Sequence, residues 1–180
     1  MSNFKASGWF FILTTLLLVG CSIPVVMPYQ GEPDGLLVFS TDVTVTGDAE
    51  LEYDYIFTVE NKDTGKVTVL NLTVEEGQTY VVLGRLPRGS YFVTKREDIR
   101  RDSNGFIPVE TDNARFYIAA GEVSVARHIR IVKGKDIREV EVSVPTNDEG
   151  RELFELQLST QEAFQGWNYH PTLIENFSMF

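Results

Sequence analysis

The chain has 180 residues, with 16 basic and 26 acidic side chains and a formal net charge of −10. That balance excludes the basic face nucleic-acid binders carry, and it gives no electrostatic pull toward anionic headgroups. Apolar residues make up 43% of the chain, among them 12 Phe, 7 Tyr and 2 Trp, enough for a packed core rather than a disordered chain.

Residues 1–8 hold one base, Lys5, and no acid, and residues 9–19 are apolar apart from Thr14 and Thr15. A run of that length matches the h-region of a signal peptide and falls short of the roughly 20 residues that span a bilayer. It ends in Leu18-Val19-Gly20-Cys21, which resembles the bacterial lipobox: small residues before the bond to be cut, then a cysteine to be acylated. Cys21 is the single cysteine, so no disulfide forms within the chain, and a lone cysteine in an exported protein has a special use. Lipidation is such a use, because each buried CH₂ adds about 0.8 kcal/mol of membrane affinity. The resemblance implies a signal peptide over 1–20, membrane attachment through Cys21 and a place in the bacterial cell envelope. Ser22, where an Asp would signal retention, resembles the pattern of lipoproteins sent to the outer membrane. Cutting there leaves 160 residues, an ordinary single domain, with a net charge of −11 once Lys5 is gone.

Residues 21–35 contain Pro24, Pro28, Pro33, Gly31 and Gly35 and read as an extended lipidated tether. About 14 residues at roughly 3.3 Å each reach up to about 45 Å. The alternative is that Ile23, Val25, Val26 and Met27 pack on the domain. The domain itself is expected over 36–180.

From Leu36 the period is two. Leu36 to Thr41 is a strand apolar on both sides. In residues 50–60, Leu51, Tyr53, Tyr55, Phe57 and Val59 share one face against Glu50, Glu52, Asp54, Thr58 and Glu60, which predicts a half-buried strand. Such aromatics are either a sugar-stacking platform or core, and core is the commoner use. Further strands are expected over 66–74, 79–86, 90–96, 106–110, 115–119, 123–132 and 137–144, with a polar loop at 97–105. Turns every 10 to 15 residues or so, without intervening helices, point to an antiparallel sandwich or barrel. Thr146-Asn147-Asp148-Glu149 fits a capping box. Residues 148–164 then read as a helix, against which stand Gly150 and a possible Phe154/Leu156/Leu158 alternation. The tail from Gly166 to Phe180 is apolar enough to pack back on a sheet.

Three segments carry a resemblance. Phe57 to Lys66, Val74 to Leu83, and Leu86-Pro87-Arg88-Gly89-Ser90-Tyr91-Phe92-Val93 resemble the prealbumin-like B-repeat fold of bacterial surface adhesins, with Leu86, Pro87, Gly89 and Tyr91 fitting its corner motif. The resemblance implies a mainly β protein, an antiparallel prealbumin-like β-sandwich, here with a C-terminal helix. It does not fix function, because the fold serves stalks, adhesins and enzyme appendages alike. The Lys–Asn crosslink of some members finds no triad here: Lys62, Lys66, Asn61 and Asn71 read as turn and strand residues.

Chemistry is sparse. His128 and His170 are far apart and do not make the three- or four-ligand set of a metal site. No nucleophile elbow, phosphate loop or dinucleotide fingerprint is present. No cofactor is expected. Arg127, Arg130, Lys133, Lys135 and Arg138 form a basic stretch that either faces an acidic partner or balances nearby acids. Trp167 and Tyr169, with Arg127 and Arg130, are the candidate partner contacts. The expectation is a non-catalytic, lipid-anchored envelope protein that binds protein or glycan. The alternatives are an accessory subunit of an envelope assembly and a hydrolase whose Ser, His and acid meet only in the fold.

Overall fold

The structure, a computed structural model, describes residues 26–102, 106–109 and 115–171. The leader, Cys21, the end of the polar loop at 103–105, Glu110 at the end of the expected 106–110 strand, and the chain after Pro171 lie outside the described residues. In chain order the described elements are β1 (Asp34–Val45), β2 (Tyr53–Asn61), β3 (Val67–Leu72), β4 (Tyr80–Pro87), β5 (Gly89–Arg100), β6 (Phe106–Val109), β7 (Arg115–Ile118), β8 (Glu122–Lys133), β9 (Arg138–Ser143), α1 (Asn147–Leu153) and β10 (Asn168–His170). A π-helical turn (Phe154–Leu158) continues α1, and a 3₁₀ turn (Glu162–Phe164) follows it.

The strands form two sheets. In the first, the order is β10-β8-β1-β4, with β9 also on β8; in the second it is β3-β2-β5, with β6 and β7 both on the far edge of β5. Pairing is mostly antiparallel, as the short turns dictate. The first sheet departs from the expected all-antiparallel pattern, because β8 runs parallel to β1 from Leu36/Val123 to Val45/Lys133 and parallel to β10. A parallel pair needs a long crossover, and here the whole second sheet lies between β1 and β8 in sequence.

One core lies between the sheets. It gathers Phe39 of β1, Tyr55, Phe57 and Val59 of β2, Leu72 of β3, Ile118 of β7 and Ile129 of β8. The alternation of 50–60 is realised, and its aromatics are core: Phe57 meets Phe39 edge-on at 5.0 Å. A second core lies on the opposite face of the first sheet. There Leu36, Val38, Val123 and Val125 are covered by Leu153, Phe154, Leu158, Phe164 and Trp167.

The capping box closes α1: the Glu149 N–H donates to Thr146 Oγ1 (3.3 Å) and the Thr146 N–H donates to Glu149 Oε2 (2.7 Å). Gly150, a poor helix former, is where Tyr169 crosses the helix. A Cβ there would stand 2.5 Å from the Tyr169 hydroxyl, and that hydroxyl donates to Asn147 O. The Leu86-Pro87-Arg88-Gly89 corner is locked by Tyr91, whose buried ring sends its hydroxyl back to Pro87 O at 2.8 Å. Gly89 has φ +149°, and a Cβ on it would lie 2.7 Å from Asn61 Nδ2.

Two segments differ from their sequence reading. Residues 97–100 are strand, part of β5, rather than loop. The described part of the tether, from Val26, is a strap packed on the second core instead of a free spacer. The Tyr29 N–H donates to Gln165 O (2.9 Å), Tyr29 packs on Trp167 with centroids 5.0 Å apart, and Trp167 Nε1 donates to Met27 O (2.9 Å). Asp34 and Gly35 already belong to β1.

Candidate functional site

Register builds one polar cleft on the covered side of the first sheet. The β1–β8 ladder sets Ser40 opposite His128, and the β8–β9 ladder sets His128 opposite Ser143. Ser40 Oγ lies 3.0 Å from His128 Nδ1 and 3.3 Å from Arg127 O. Thr41, Thr79, Pro145, Glu149 and Gln157 complete the lining of a cavity of about 290 Å³. Gln157 comes from the π turn, and its Oε1 accepts the Thr79 hydroxyl. Irregular helical turns of this kind are frequent at functional sites. The Thr41 hydroxyl donates to Gln78 O at 2.6 Å. Thr79 also lines a second groove of about 480 Å³ with Val26, Tyr80, Val82, Gln161 and Phe164, where the Tyr80 hydroxyl and the Gln161 amide are bonded.

The cleft is thus walled by hydroxyls and amides, with one imidazole and one carboxylate. The Thr146 backbone N–H, and after it the Thr146 hydroxyl, hold the Glu149 carboxyl below the ordinary glutamate range, and attraction to His128 acts in the same direction. The site therefore carries an ionised carboxylate beside its imidazole. Among the described residues no group of three or more His, Cys, Asp and Glu is placed to hold a metal ion.

Of the four candidate contacts, two are buried. Trp167 is 4% exposed and is held by Met27, Tyr29 and Arg85, whose guanidinium lies 5.3 Å from the ring centroid. Arg127 is fully buried: its Nη1 donates to Ala126 O and its guanidinium lies over Phe116. An extra residue in β8, Ala126, turns Arg127 to the inner face beside Phe39. Neither side chain is available to a partner in this state, which corrects their reading as surface contacts. Tyr169 is half-buried, braced on Phe154 and under Arg151. Arg130 is exposed, 3.6 Å from Asp42. Two more of the basic stretch meet neighbouring acids: Lys133 lies 3.3 Å from Glu52, and Arg138 donates to buried Asp98, which Arg96 also reaches at 3.1 Å. His170, far from the cleft in sequence, pairs with Glu122 instead.

Sequence reasoning singled out His128 but missed Ser40, Ser143, Thr79 and Gln157. The one available signal was Ser40 itself, a hydroxyl interrupting an apolar run.

No family model matches the chain, and no curated protein matches it. Among solved structures it is similar to a leucine-rich repeat protein from Bacteroides thetaiotaomicron VPI-5482, at 17% identity over 58% of this chain, with a TM-score of 0.34. The chain spans 14% of that protein. A likeness this slight carries no argument about fold or activity. Among the described residues no helix is long and apolar enough to cross a membrane.

Proposed function

We propose that this protein is a non-catalytic, lipid-anchored binding protein of the bacterial envelope, placed at the outer membrane through Cys21, whose polar cleft takes a neutral, hydroxyl-rich ligand such as a glycan unit. The observation that carries the reading is the cleft lining. Ser40, Thr41, Thr79, Ser143 and Gln157, with His128, Pro145 and Glu149, line a cavity of about 290 Å³. Hydroxyls and amides exchange hydrogen bonds with sugar hydroxyls, and the Glu149 carboxylate in the same lining is a further acceptor for them. An anionic ligand would meet no unopposed cation there, and an acyl chain would meet no apolar floor. Calorimetric titration of the protein starting at Cys21 with neutral glucose oligomers and β-1,4-linked N-acetylglucosamine oligomers tests it. Binding of either series, weakened about tenfold by Gln157→Ala and untouched by Lys62→Ala, supports the reading, tenfold being the loss of one good hydrogen bond. No binding by either series, with a protein co-purifying from membranes, supports the accessory-subunit reading instead.

A second reading rests on the 3.0 Å approach of Ser40 Oγ to His128 Nδ1, the contact of a hydrolase nucleophile and its base. Two features weigh against it. Ser40 sits mid-strand with pairing partners on both sides, not at an exposed elbow. Its hydroxyl also donates to Arg127 O, in which case it accepts from the ring N–H, the reverse of activation. Labelling of Ser40 by a fluorophosphonate probe, abolished by His128→Ala, would establish the hydrolase reading.

A further inference from the structure

The strap changes what an anchor at Cys21 can do. Had residues 21–35 been free, the body would hang on a leash of about 45 Å. Val26 is already packed, lining the second groove beside Gly77, Tyr80 and Phe164, and Met27 is tied through its carbonyl to Trp167 and Arg85. Five residue steps separate Val26 from Cys21, which is at most about 18 Å. A domain of about 150 residues has a radius of gyration near 15 Å and is roughly 38 Å across. A body wider than twice its leash cannot turn over. We propose that the Val26–Met27 end of the strap, with the Glu75–Gln78 turn beside it, is held face-down on the lipid bilayer, and that the polar cleft therefore works within headgroup reach of the membrane. The proposal rests on the lipid-anchor reading above.

The placement of the cleft follows from the shared wall: Thr79 lines both the cleft and the groove that Val26 enters. The opposite pole is also defined. The Asn61–Gly65 turn lies at the other end of β3 from the Glu75–Gln78 turn, and the six residues of β3 span roughly 20 Å. The docking is enforced by the leash rather than by charge. Exposed Glu75 and Glu76 flank the membrane-proximal turn, and a net charge of −10 gives no pull toward anionic lipid. Met27 is 56% exposed at the proximal end, an apolar contact for the interface once the leash has brought it there.

The test uses the processed protein in phosphatidylcholine vesicles carrying headgroup nitroxides. Because Cys21 is the only native cysteine and is blocked by acylation, Met27→Cys and Lys62→Cys each add one labelling site, and both residues are exposed. A fluorophore at position 27 is expected to be quenched several-fold more than one at position 62. Ten Gly/Ser residues inserted after Ser22 should bring the two together. Equal quenching on protein whose N-terminal peptide has the mass of an acylated cysteine overturns the orientation while leaving the anchor standing. A free thiol at Cys21, or retention of residues 1–20, overturns the anchor and the orientation with it. The variants without acylation are expected to stay in the vesicle-free fraction, and binding by them would overturn the leash argument.

Discussion

The two sheets share one core but treat their outer faces in opposite ways. On the first sheet the outer face of β1 and β8 is Leu36, Val38, Val123 and Val125, and it is sealed by α1, the π turn, the 3₁₀ turn and Trp167. On the second sheet the outer face carries Thr58, Glu60, Lys95 and Glu97 among Ile56, Val67 and Val69, and no described element covers it. The difference was written in the strands. Residues 36–39 are apolar at every position, the mark of a strand buried on both sides, as parallel-paired strands usually are. Residues 50–60 alternate, the mark of a strand with one wet face. The polar cleft sits where the covering layer stops short, at Ser40 and His128, so the candidate site is a product of the covered face alone.

The largest losses should come from emptying either core. Phe57→Ala empties the centre of the inter-sheet core and should cost about 3–5 kcal/mol, seen as a lower urea midpoint by far-UV dichroism. Leu158→Ala, fully buried in the second core, should cost about 2–5 kcal/mol. The sharper readout is Trp167, the only tryptophan left once residues 1–20 are removed. Its fluorescence transition should coincide with the dichroism transition in Phe57→Ala and precede it in Leu158→Ala. Coincidence in both would mean the covering layer cannot open by itself.

Much of this architecture was legible and some was not, for identifiable reasons. The turns, the alternation of β2 and the Thr146–Glu149 cap are local patterns, and each appears where the sequence puts it. What failed was long-range or bulged. An extra residue at Thr94 in β5 turns Arg96 and Asp98 inward opposite Phe57 and Tyr55. A segment that reads as a solvated loop is thus a strand that closes the core end with an Arg96–Asp98–Arg138 network, Asp98 being 2% exposed. The bulge at Ala126 does the same to Arg127. The Ser40–His128 pair depends on a parallel ladder between residues 88 apart, which no window of sequence displays.

The cap tests the covering layer more gently. Thr146→Ala should cost about 1 kcal/mol, confined to the Trp167 signal if the layer opens on its own. Acid should act at the same place. Hydrogen bonds hold two carboxyls of this layer below the ordinary 4.5, Glu149 through the Thr146 N–H and Glu32 of the strap through the Gln30 N–H. A depressed folded-state pKa contributes stability that is complete above the unfolded value and is lost as pH falls through the folded one. The Trp167 environment should therefore change below about pH 4.5 before the sheet signal does. Glu149→Gln should flatten that early step.

The smallest effect is the most discriminating. Val69 is 59% exposed on the open face, opposite Thr58. Val69→Thr keeps the β-branch and removes little buried area, so it should stay within about 0.5 kcal/mol. Val38→Thr makes the same chemical change under the covering layer and places a hydroxyl in the second core, at a cost of about 1–3 kcal/mol. Chemical denaturation of the two variants, in the same buffer and over a range of protein concentrations, measures the contrast directly. A Val69→Thr penalty that approaches that of Val38→Thr and grows with concentration would mean that a second copy covers the open face, and the asymmetry between the sheets would then belong to the monomer alone.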